Sequence, residues 1–570
     1  MTRARVLLAL LLLFSTYLLV APLAAAPPGG TPICQAAGAQ SNPVAVSDGA
    51  GGMIVTWLDA RRGVADLYAH HLASGAALDP AWSPDGNPVT QSGSASVPTI
   101  FGDGQGGALV VWFDPAASAV TAQHVQGSGS LAPGWPASGR SLVTESVSGP
   151  SGRIFRWSAD PTGNLYVCWN TYDFIEHLWL QRFGANGMAI WAAPVEVASA
   201  GPGGGRFTFA DVGASSQGAV VVWGSFEDLP IGSSAPAAAS HYLPNGGPGV
   251  QTDLVAPFGN PLTVTTFVTG IAVDAAGTTF VRERVNGVVH LLKLDPAGAI
   301  LWPADRNIAT AGRLIPDDAG GVYALASSGV SLDRRAADGS VPAGWTGSGL
   351  TVTSATTSGA VSAAIVSGGI LLCWADDARG HGADVRATVI TNSGAIAPGW
   401  RVGGSLISSV HGVQSSPTVV ATTAGTGLAA WQDLRRKGGG DIYGDVVAPV
   451  AAVGPNLLTP DDTARFESSA LGAGVEPEPE RDVAFSVSAA PVESGVVRVR
   501  FTLAESGEAT LDVVDVTGRL LRRQFATGAH GLAQITTLVA GELPRGIYWI
   551  RLQQGSRQAS AKLLNLRLSP

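Results

Sequence analysis

The stretch Asp48-Gly49-Ala50-Gly51-Gly52-Met53-Ile54-Val55-Thr56-Trp57-Leu58-Asp59 decides how the rest of the chain reads. It returns as Asp103-Gly104-Gln105-Gly106-Gly107-Ala108-Leu109-Val110-Val111-Trp112-Phe113-Asp114. Near the far end it returns in eroded form, as Gly425-Thr426-Gly427-Leu428-Ala429-Ala430-Trp431-Gln432-Asp433. Each copy is a Gly-rich turn, then a short apolar run ending at Trp, then Asp two residues on. The glycines supply the positive φ that a tight hairpin needs. Self-similarity at a fixed spacing is the mark of a repeat architecture.

The tryptophans that end the run are Trp57, Trp112, Trp169, Trp223, Trp374 and Trp431, at successive spacings of 55, 57, 54, 151 and 57. The long gap holds three steps. Two degenerate repeats fill it, at Asp274-Ala275-Ala276-Gly277-Thr278-Thr279-Phe280 and Asp317-Asp318-Ala319-Gly320-Gly321-Val322-Tyr323. A second marker, a Pro/Gly-Trp or Leu/Ile-Trp turn, keeps the same period at Trp82, Trp135, Trp191, Trp302, Trp345 and Trp400. Its missing copy falls near Leu243-Pro244-Asn245-Gly246-Gly247.

Within the first unit, Pro43 to Ser47, Met53 to Trp57, Asp66 to Leu72 and Pro88 to Gln91 read as strands by alternation and turn signals. Four strands per unit of about 45–55 residues make the blade of a β-propeller. The last repeat has only three strands before Pro449. The segment Gly30-Thr31-Pro32-Ile33-Cys34-Gln35-Ala36 matches Gly86-Asn87-Pro88-Val89-Thr90-Gln91-Ser92 and reads as its missing fourth. Pairing there would close the ring and remove the open edges. The chain is therefore expected to be all-β, with an eight-bladed propeller. A seven-bladed ring is the alternative, because the repeat around Tyr323 is short.

Charged residues are 14%, against roughly 25% in typical soluble domains, and 74 glycines and 36 prolines suit short strands and tight turns. A formal net charge of −9 argues against nucleic acid as a partner. Arg3 and Arg5, the apolar run Val6 to Val20 and Leu23-Ala24-Ala25-Ala26 read as a secretory signal over residues 1–26. Export to the cell surface or medium, with no membrane span after processing, is the expectation. Cys168 and Cys373 each precede a repeat tryptophan in opposite blades, so the three cysteines make no disulfide framework.

The propeller is expected over residues 30–450. An acidic linker follows at 451–482, with Glu476-Pro477-Glu478-Pro479-Glu480. From about Val483 the alternation resumes, with some seven short strands to the end, which suits a small β-sandwich. Arg500-Phe501-Thr502-Leu503, Asp515-Val516-Thr517-Gly518-Arg519, Leu543-Pro544-Arg545-Gly546-Ile547-Tyr548 and Lys562-Leu563-Leu564 give this region, about residues 490–568, a family likeness. It resembles the C-terminal sorting domain of type IX secretion and the related Ig-like domain of flagellar hook-capping proteins. Ala490-Pro491 stands where that family usually has Asn-Pro. The resemblance implies an Ig-like module read by an outer-membrane export machine, with Asp515, Gly518, Arg519, Gly546, Tyr548 and Lys562 as its motif and no catalysis of its own. The propeller units are similar to repeats of large secreted bacterial proteins of unknown role.

The strongest chemical constellation is Asp59-Ala60-Arg61-Arg62 followed by Asp66, and Asp433-Leu434-Arg435-Arg436 followed by Asp441. Asp376, Arg379 and Asp384 form a weaker copy. In one reading an arginine bridges two aspartates that flank a hairpin, a structural device repeated with the blade. In the other, these groups form a ring that binds a glycan, a peptide or calcium. No other cofactor is implied. The sialidase pattern is absent: Arg153-Ile154-Phe155 lacks the proline of Arg-Ile-Pro, and no Asp-box spacing occurs. The histidines, about one per blade near the third strand, have no HExxH spacing, and no Gly-x-Ser-x-Gly elbow or Walker loop occurs. The tryptophans could form a stacking set for sugars, but their regular period fits blade-to-blade packing. The expected role is a non-catalytic binding or scaffold propeller with a glycan or protein ligand. The alternative is a glycan-active or other degradative enzyme, marked by Glu227, Asp228, Glu283 and arginines converging on one funnel.

Overall fold

A computed structural model describes residues 29–449 and 486–565. Within these limits it leaves out 145–152, 201–204, 230–231, 235–236, 255–265, 286–287, 303–307, 309–311, 318, 327–328, 379–381, 409, 411, 424, 437–438, 493–495, 503–506, 516–518, 529–532, 540–545 and 555–556. The expected signal segment and the expected linker therefore lie outside the described residues, as do Arg379 and Gly518. The chain divides into two compact units, Met1–Glu467 and Ser468–Pro570.

The first unit is an eight-bladed β-propeller. Blade 1 is Gln40–Ser47, Met53–Asp59, Asp66–Leu72 and Asn87–Thr90, hydrogen-bonded in that order and antiparallel throughout. Blades 2, 3, 6 and 7 repeat the pattern, beginning at Thr99–Gly102, Phe155–Ala159, Arg313–Pro316 and Ser362–Val366. Blade 4 carries an extra strand, Gly232–Ser234, against the end of Gly218–Leu229. Blade 5 shows three strands among the described residues, Thr266–Val273, Thr279–Val285 and Val288–Leu294. Blade 8 is Gln414–Thr423, Thr426–Asp433 and Asp441–Val447, completed by Thr31–Cys34 from the start of the chain. Eight blades and N-terminal closure are thus as the repeats indicate.

The hairpin between the first two strands explains the opening motif. Asp48 Oδ1 accepts hydrogen bonds from the Ala50 and Gly52 amides at 2.7 and 2.8 Å, with Gly49 and Gly51 at φ 76° and 94°. Asp103 repeats this with Gln105 and Gly107, and Asp317 with Ala319 and Gly321. An Asp side chain mimics the backbone in such a turn, which is why the motif begins with Asp. The second carboxylate oxygen pairs with a basic residue of the third strand: Asp48 with His71 (3.0 Å), Asp103 with His124 (2.9 Å), Asp160 with Arg182 (3.1 Å) and Asp317 with Arg334 (2.7 Å).

Two aromatic layers hold the blades together. Trp57, Trp112, Trp374 and Trp431 are fully buried. Trp57 packs with Ile33, Cys34, Leu428 and Ile442 of blade 8, and Trp112 packs with Ile54, Leu67 and Ala69 of blade 1. A glycine before the outer strand makes room for each ring. A Cβ on Gly30 would lie 2.6 Å from Trp431, and one on Gly139 2.6 Å from Trp112. Gly86 and Gly404 do the same for Trp57 and Trp374, and all four glycines have positive φ. The second tryptophan set reaches into the next blade instead. The Trp82 indole donates to Gly127 O, Trp191 to Pro244 O, Trp302 to Ala337 O and Trp345 to Asn392 O, at 2.9–3.0 Å.

The second unit holds two antiparallel sheets. One is Ser486–Val492, Val496–Thr502 and Ala533–Val539. The other runs Leu520–Gly528, Gly507–Asp515, Gly546–Gln554, Arg557–Asn565. Its buried side chains include Val499, Leu511, Val513, Ile550 and Leu552.

Candidate functional site

Asp59 ends the second strand of blade 1 and Asp66 begins the third, directly opposite it in register. Like charges facing each other across a ladder destabilise it, so each needs a cation. Arg61 supplies one, donating from Nε to Asp59 Oδ1 at 2.9 Å and from Nη2 to Oδ2 at 2.7 Å. The Trp57 indole donates to the same Oδ2 at 2.9 Å. Burial pushes the Asp59 carboxyl up, but the Arg61 and Trp57 hydrogen bonds outweigh it and hold it below the usual range. The Arg61 guanidinium lies 3.7 Å over the Tyr68 ring and also donates to Asp85 O. Arg62 takes the other carboxylate, reaching Asp66 at 3.1 Å from a half-exposed position.

Blade 8 builds the same assembly. Arg435 donates from Nε and Nη2 to Asp433 at 2.9 and 2.6 Å, Trp431 donates to Asp433 at 3.1 Å, and Arg435 stacks 3.7 Å over Tyr443. Arg435 Nη2 also donates to Gly29 O, and Arg436 Nη1 donates to Gln35 O, so both arginines tie down the incoming N-terminal segment. Arg436 lies 3.4 Å from Asp441, whose carboxyl is raised by burial against the pull of Arg436. The two loops are neighbours across the closure: Gln40 N donates to Gly440 O, and Ala60 N to Ala39 O.

In blade 7 the Trp374 indole donates to Asp376 at 2.6 Å, and the arginine on Asp376 is Arg386, at 3.1 Å. Arg386 comes from the third strand, in register with Trp374, where blades 1 and 8 have Tyr68 and Tyr443. The loop arginine expected there, Arg379, lies outside the described residues. Asp384 faces Asp376 across the ladder. Blade 2 departs from the scheme. Asp114 accepts from Ser94 Oγ and from the Ala116 and Ala117 amides, and the Trp112 indole is left without a partner.

Of the acids expected to mark an enzyme, Glu283 lies in the blade 5 strand Thr279–Val285, fully buried. Phe280 pairs with Lys293 as Ile54 pairs with His71, so Glu283 occupies the register place of the repeat tryptophan. Neither carboxylate oxygen has a hydrogen-bond partner, and burial pushes its pKa up to about 8. Glu227 and Asp228 sit on the strand extension paired with Gly232–Ser234.

The first strands of several blades surround a cavity of about 290 Å³, lined by Asn42, Val44, Arg313, Ser362, Ser416 and Thr418 among others. Arg313 is solvent-exposed within this crowded space, and the surrounding protein lowers its pKa. Its Nη2 donates to Ala363 O at 3.4 Å. Among the described residues, no three His, Cys, Asp or Glu side chains come close enough together to hold a metal ion. No described helix is long and apolar enough to cross a membrane.

In the second unit, Asp515 is in register with Tyr548, Tyr548 with Leu563, and Trp549 with Lys562, while Gly546 begins the third strand of its sheet. Arg519 immediately precedes the strand Leu520–Gly528. Asp515, Tyr548 and Lys562 thus fall on three adjacent strands.

No family model matches the chain, and no curated protein matches it. Among solved structures it is similar to a puromycin hydrolase at 15% identity, covering 72% of this chain and 62% of that one, with a TM-score of 0.36. It is similar to prolyl oligopeptidase B from Galerina marginata at 10% identity, covering 70% of this chain and 56% of that one, TM-score 0.40. A protein of unknown function from Dyadobacter fermentans matches at 10% identity over 74% of this chain and 98% of that one, TM-score 0.30. The chain spans about three fifths of the length of the hydrolase. These likenesses are distant.

Proposed function

We propose that this chain is a secreted or cell-surface binding and scaffold propeller without catalysis of its own, exported through its C-terminal unit. The observation that carries the reading is where the reactive groups have gone. Asp59, Asp376 and Asp433 are each clamped by an indole N–H and a guanidinium, and Arg435 and Arg436 hold the closing segment. Groups bound this way hold the scaffold together and are not poised to exchange protons. The cavity among the first strands instead offers hydroxyls, an amide and the Arg313 guanidinium, a set suited to a polar or acidic portion of an extracellular glycan or peptide.

The test is a glycan and peptide array probed with the secreted protein, with and without calcium, beside an Arg313→Gln variant. Binding that weakens at least tenfold in the variant supports the reading. Turnover of any arrayed glycan or peptide would replace it with the enzymatic alternative. For the C-terminal unit, the family likeness of Asp515, Arg519, Gly546, Tyr548 and Lys562 supports a sorting role. Mass spectrometry of the extracellular protein tests removal of that unit, and an intact Pro570 outside the cell would count against it.

A further inference from the structure

The seam between blades 4 and 5 breaks the pattern of the acid-capped hairpin. In blade 4, Val220 pairs with His241 as Ile54 pairs with His71 and Leu109 with His124, so His241 is the third-strand base of its blade. In blades 1 and 2 that base meets the turn aspartate through Nε2, at 3.0 and 2.9 Å. The other nitrogen of His124 faces a carbonyl in the next blade, Ala185 O at 3.1 Å. His241 keeps the second contact, with the backbone carbonyl of Pro296 in blade 5. It lacks the first. Ser215 stands where Asp48 stands, since Ser215 pairs with Gly218 and the turn between them holds only Ser216 and Gln217.

The Ser215 hydroxyl takes over the turn-capping task, accepting from the Gln217 amide at 3.1 Å. It has no second oxygen to offer the imidazole. His241 is only 7% exposed, and its Nε2 has no hydrogen-bond partner. The shortened turn leaves a cleft of about 220 Å³ beside the ring, lined largely by apolar atoms of Ala219, Leu243, Val250 and Pro296, with Ser215 and Gln217 at its edge. A buried imidazole with one unpaired nitrogen, lining a mostly apolar cleft, is the arrangement of a small-molecule site with one orienting polar group.

We propose that this cleft binds a small monocarboxylate with a short apolar body, whose carboxylate takes the place that Asp48, Asp103, Asp160 and Asp317 fill in blades 1, 2, 3 and 6. The site is separate from the first-strand cavity, so its failure and the failure of the reading above are distinguishable. The contact with Pro296 O uses one ring N–H. A neutral His241 therefore presents a lone pair at Nε2, and a carboxylate can be held there only with uptake of one proton, on the ring or on the ligand. Burial lowers the His241 pKa against the opposing pull of the Asp295 carboxylate and the Pro296 carbonyl in blade 5, so the ring is neutral near pH 7 and the proton enters with the ligand.

The experiment is calorimetric titration of the whole secreted chain with benzoate, and with neutral benzamide as control, at pH 5.5 and 7.5. Two variants accompany it: His241→Gln, which removes the base, and Ser215→Asp, which supplies the missing carboxylate from within the chain. Benzoate should bind the natural chain with about one proton taken up, at least tenfold more weakly at pH 7.5 than at 5.5, and benzamide should not bind detectably. Both variants should lose benzoate at least tenfold, and Ser215→Asp should raise the melting temperature, because the internal acid completes the pair seen in blades 1 and 2. Ser215→Asp adds a favourable contact, so it keeps the test open even if His241→Gln fails to fold. No binding of benzoate to the natural chain, or equal binding to Ser215→Asp, overturns the proposal.

Discussion

Replacing Glu283 by methionine should stabilise the propeller, by an amount that depends on pH in a calculable way. Methionine keeps the length and flexibility of the chain at a site where other blades bury an indole. Glu283 is fully buried, both oxygens lack partners, and its pKa is pushed from 4.5 to about 8. A raised carboxylate pKa means that the folded state holds its proton where the unfolded chain has lost it. Below pH 4.5 the group is protonated in both states and exacts no charge penalty. Between pH 4.5 and about 8 stability falls as pH rises, and above 8 the penalty is constant. With one pKa unit worth 1.36 kcal/mol, the penalty at pH 7 is about 3 kcal/mol, rising to about 5 kcal/mol well above pH 8. At about 2.1 cal/mol/K of unfolding entropy per residue, a unit of this size shifts by about 1 °C per kcal/mol. Thermal melts of the natural and Glu283→Met chains at fixed scan rate, from pH 5 to pH 8, should therefore diverge by about 3–4 °C across that range, with the variant higher. A gap that stays constant over the range would show that Glu283 does not titrate at its buried position, and the reasoning would fail.

Three further outcomes follow from the fold. Asp59→Ala and Asp433→Ala each strip the partner from a buried indole and a mostly buried guanidinium, and each should cost about 2–4 kcal/mol in urea unfolding; an unchanged midpoint would mean that the clamp does not contribute. Gly30→Ala or Gly86→Ala places a methyl against the Trp431 or Trp57 ring at positive φ, and should lower stability by about 1–3 kcal/mol, whereas alanine at Gly49, with open space around it, should cost less. Cys34, Cys168 and Cys373 are buried and unpaired, and burial raises all three thiol pKa values, that of Cys34 to about 12, so a disulfide exchange reagent at pH 8 should label none in the folded chain and all three in urea.

The ring was readable because its rule is local. An Asp-Gly turn, an apolar run and a buried Trp recur within a dozen residues, and the match of Gly30–Ala36 to Gly86–Ser92 disclosed the closing strand. Even the glycine in that match has a cause, the indole edge it must clear. What was not readable depends on partners from elsewhere in the fold. Arg386 reaches Asp376 from a neighbouring strand, whereas the sequence offers Arg379 in the loop as the obvious copy. The histidines look like scattered strand-face residues until the turn aspartates are set beside them. Their separation was the available signal, since His71 follows Asp48, and His124 follows Asp103, at nearly the same distance. The second tryptophans keep their period in sequence, yet their role is set by carbonyls in the following blade, which no local pattern names. Glu283 was noticed as a possible acid, but its place in the tryptophan register is visible only from the pairing of Phe280 with Lys293.

The strand that completes blade 8 is the earliest part of the ring to be synthesised and the last to find its partner. Thr31–Cys34 must wait unpaired while every other blade stacks, because Asp441–Val447 emerges last. The entropic cost of joining ends so far apart grows only with the logarithm of the distance, so the delay costs little at equilibrium. Its effect is on order of assembly: a chain that stops short of Ile442 lacks the residues that receive the waiting strand. Closure thus works as a check on length, separating finished molecules from unfinished ones by whether two edges are left exposed. A circular permutant that moves Gly29–Ala36 to follow Val447 would keep the same blade and lose that check.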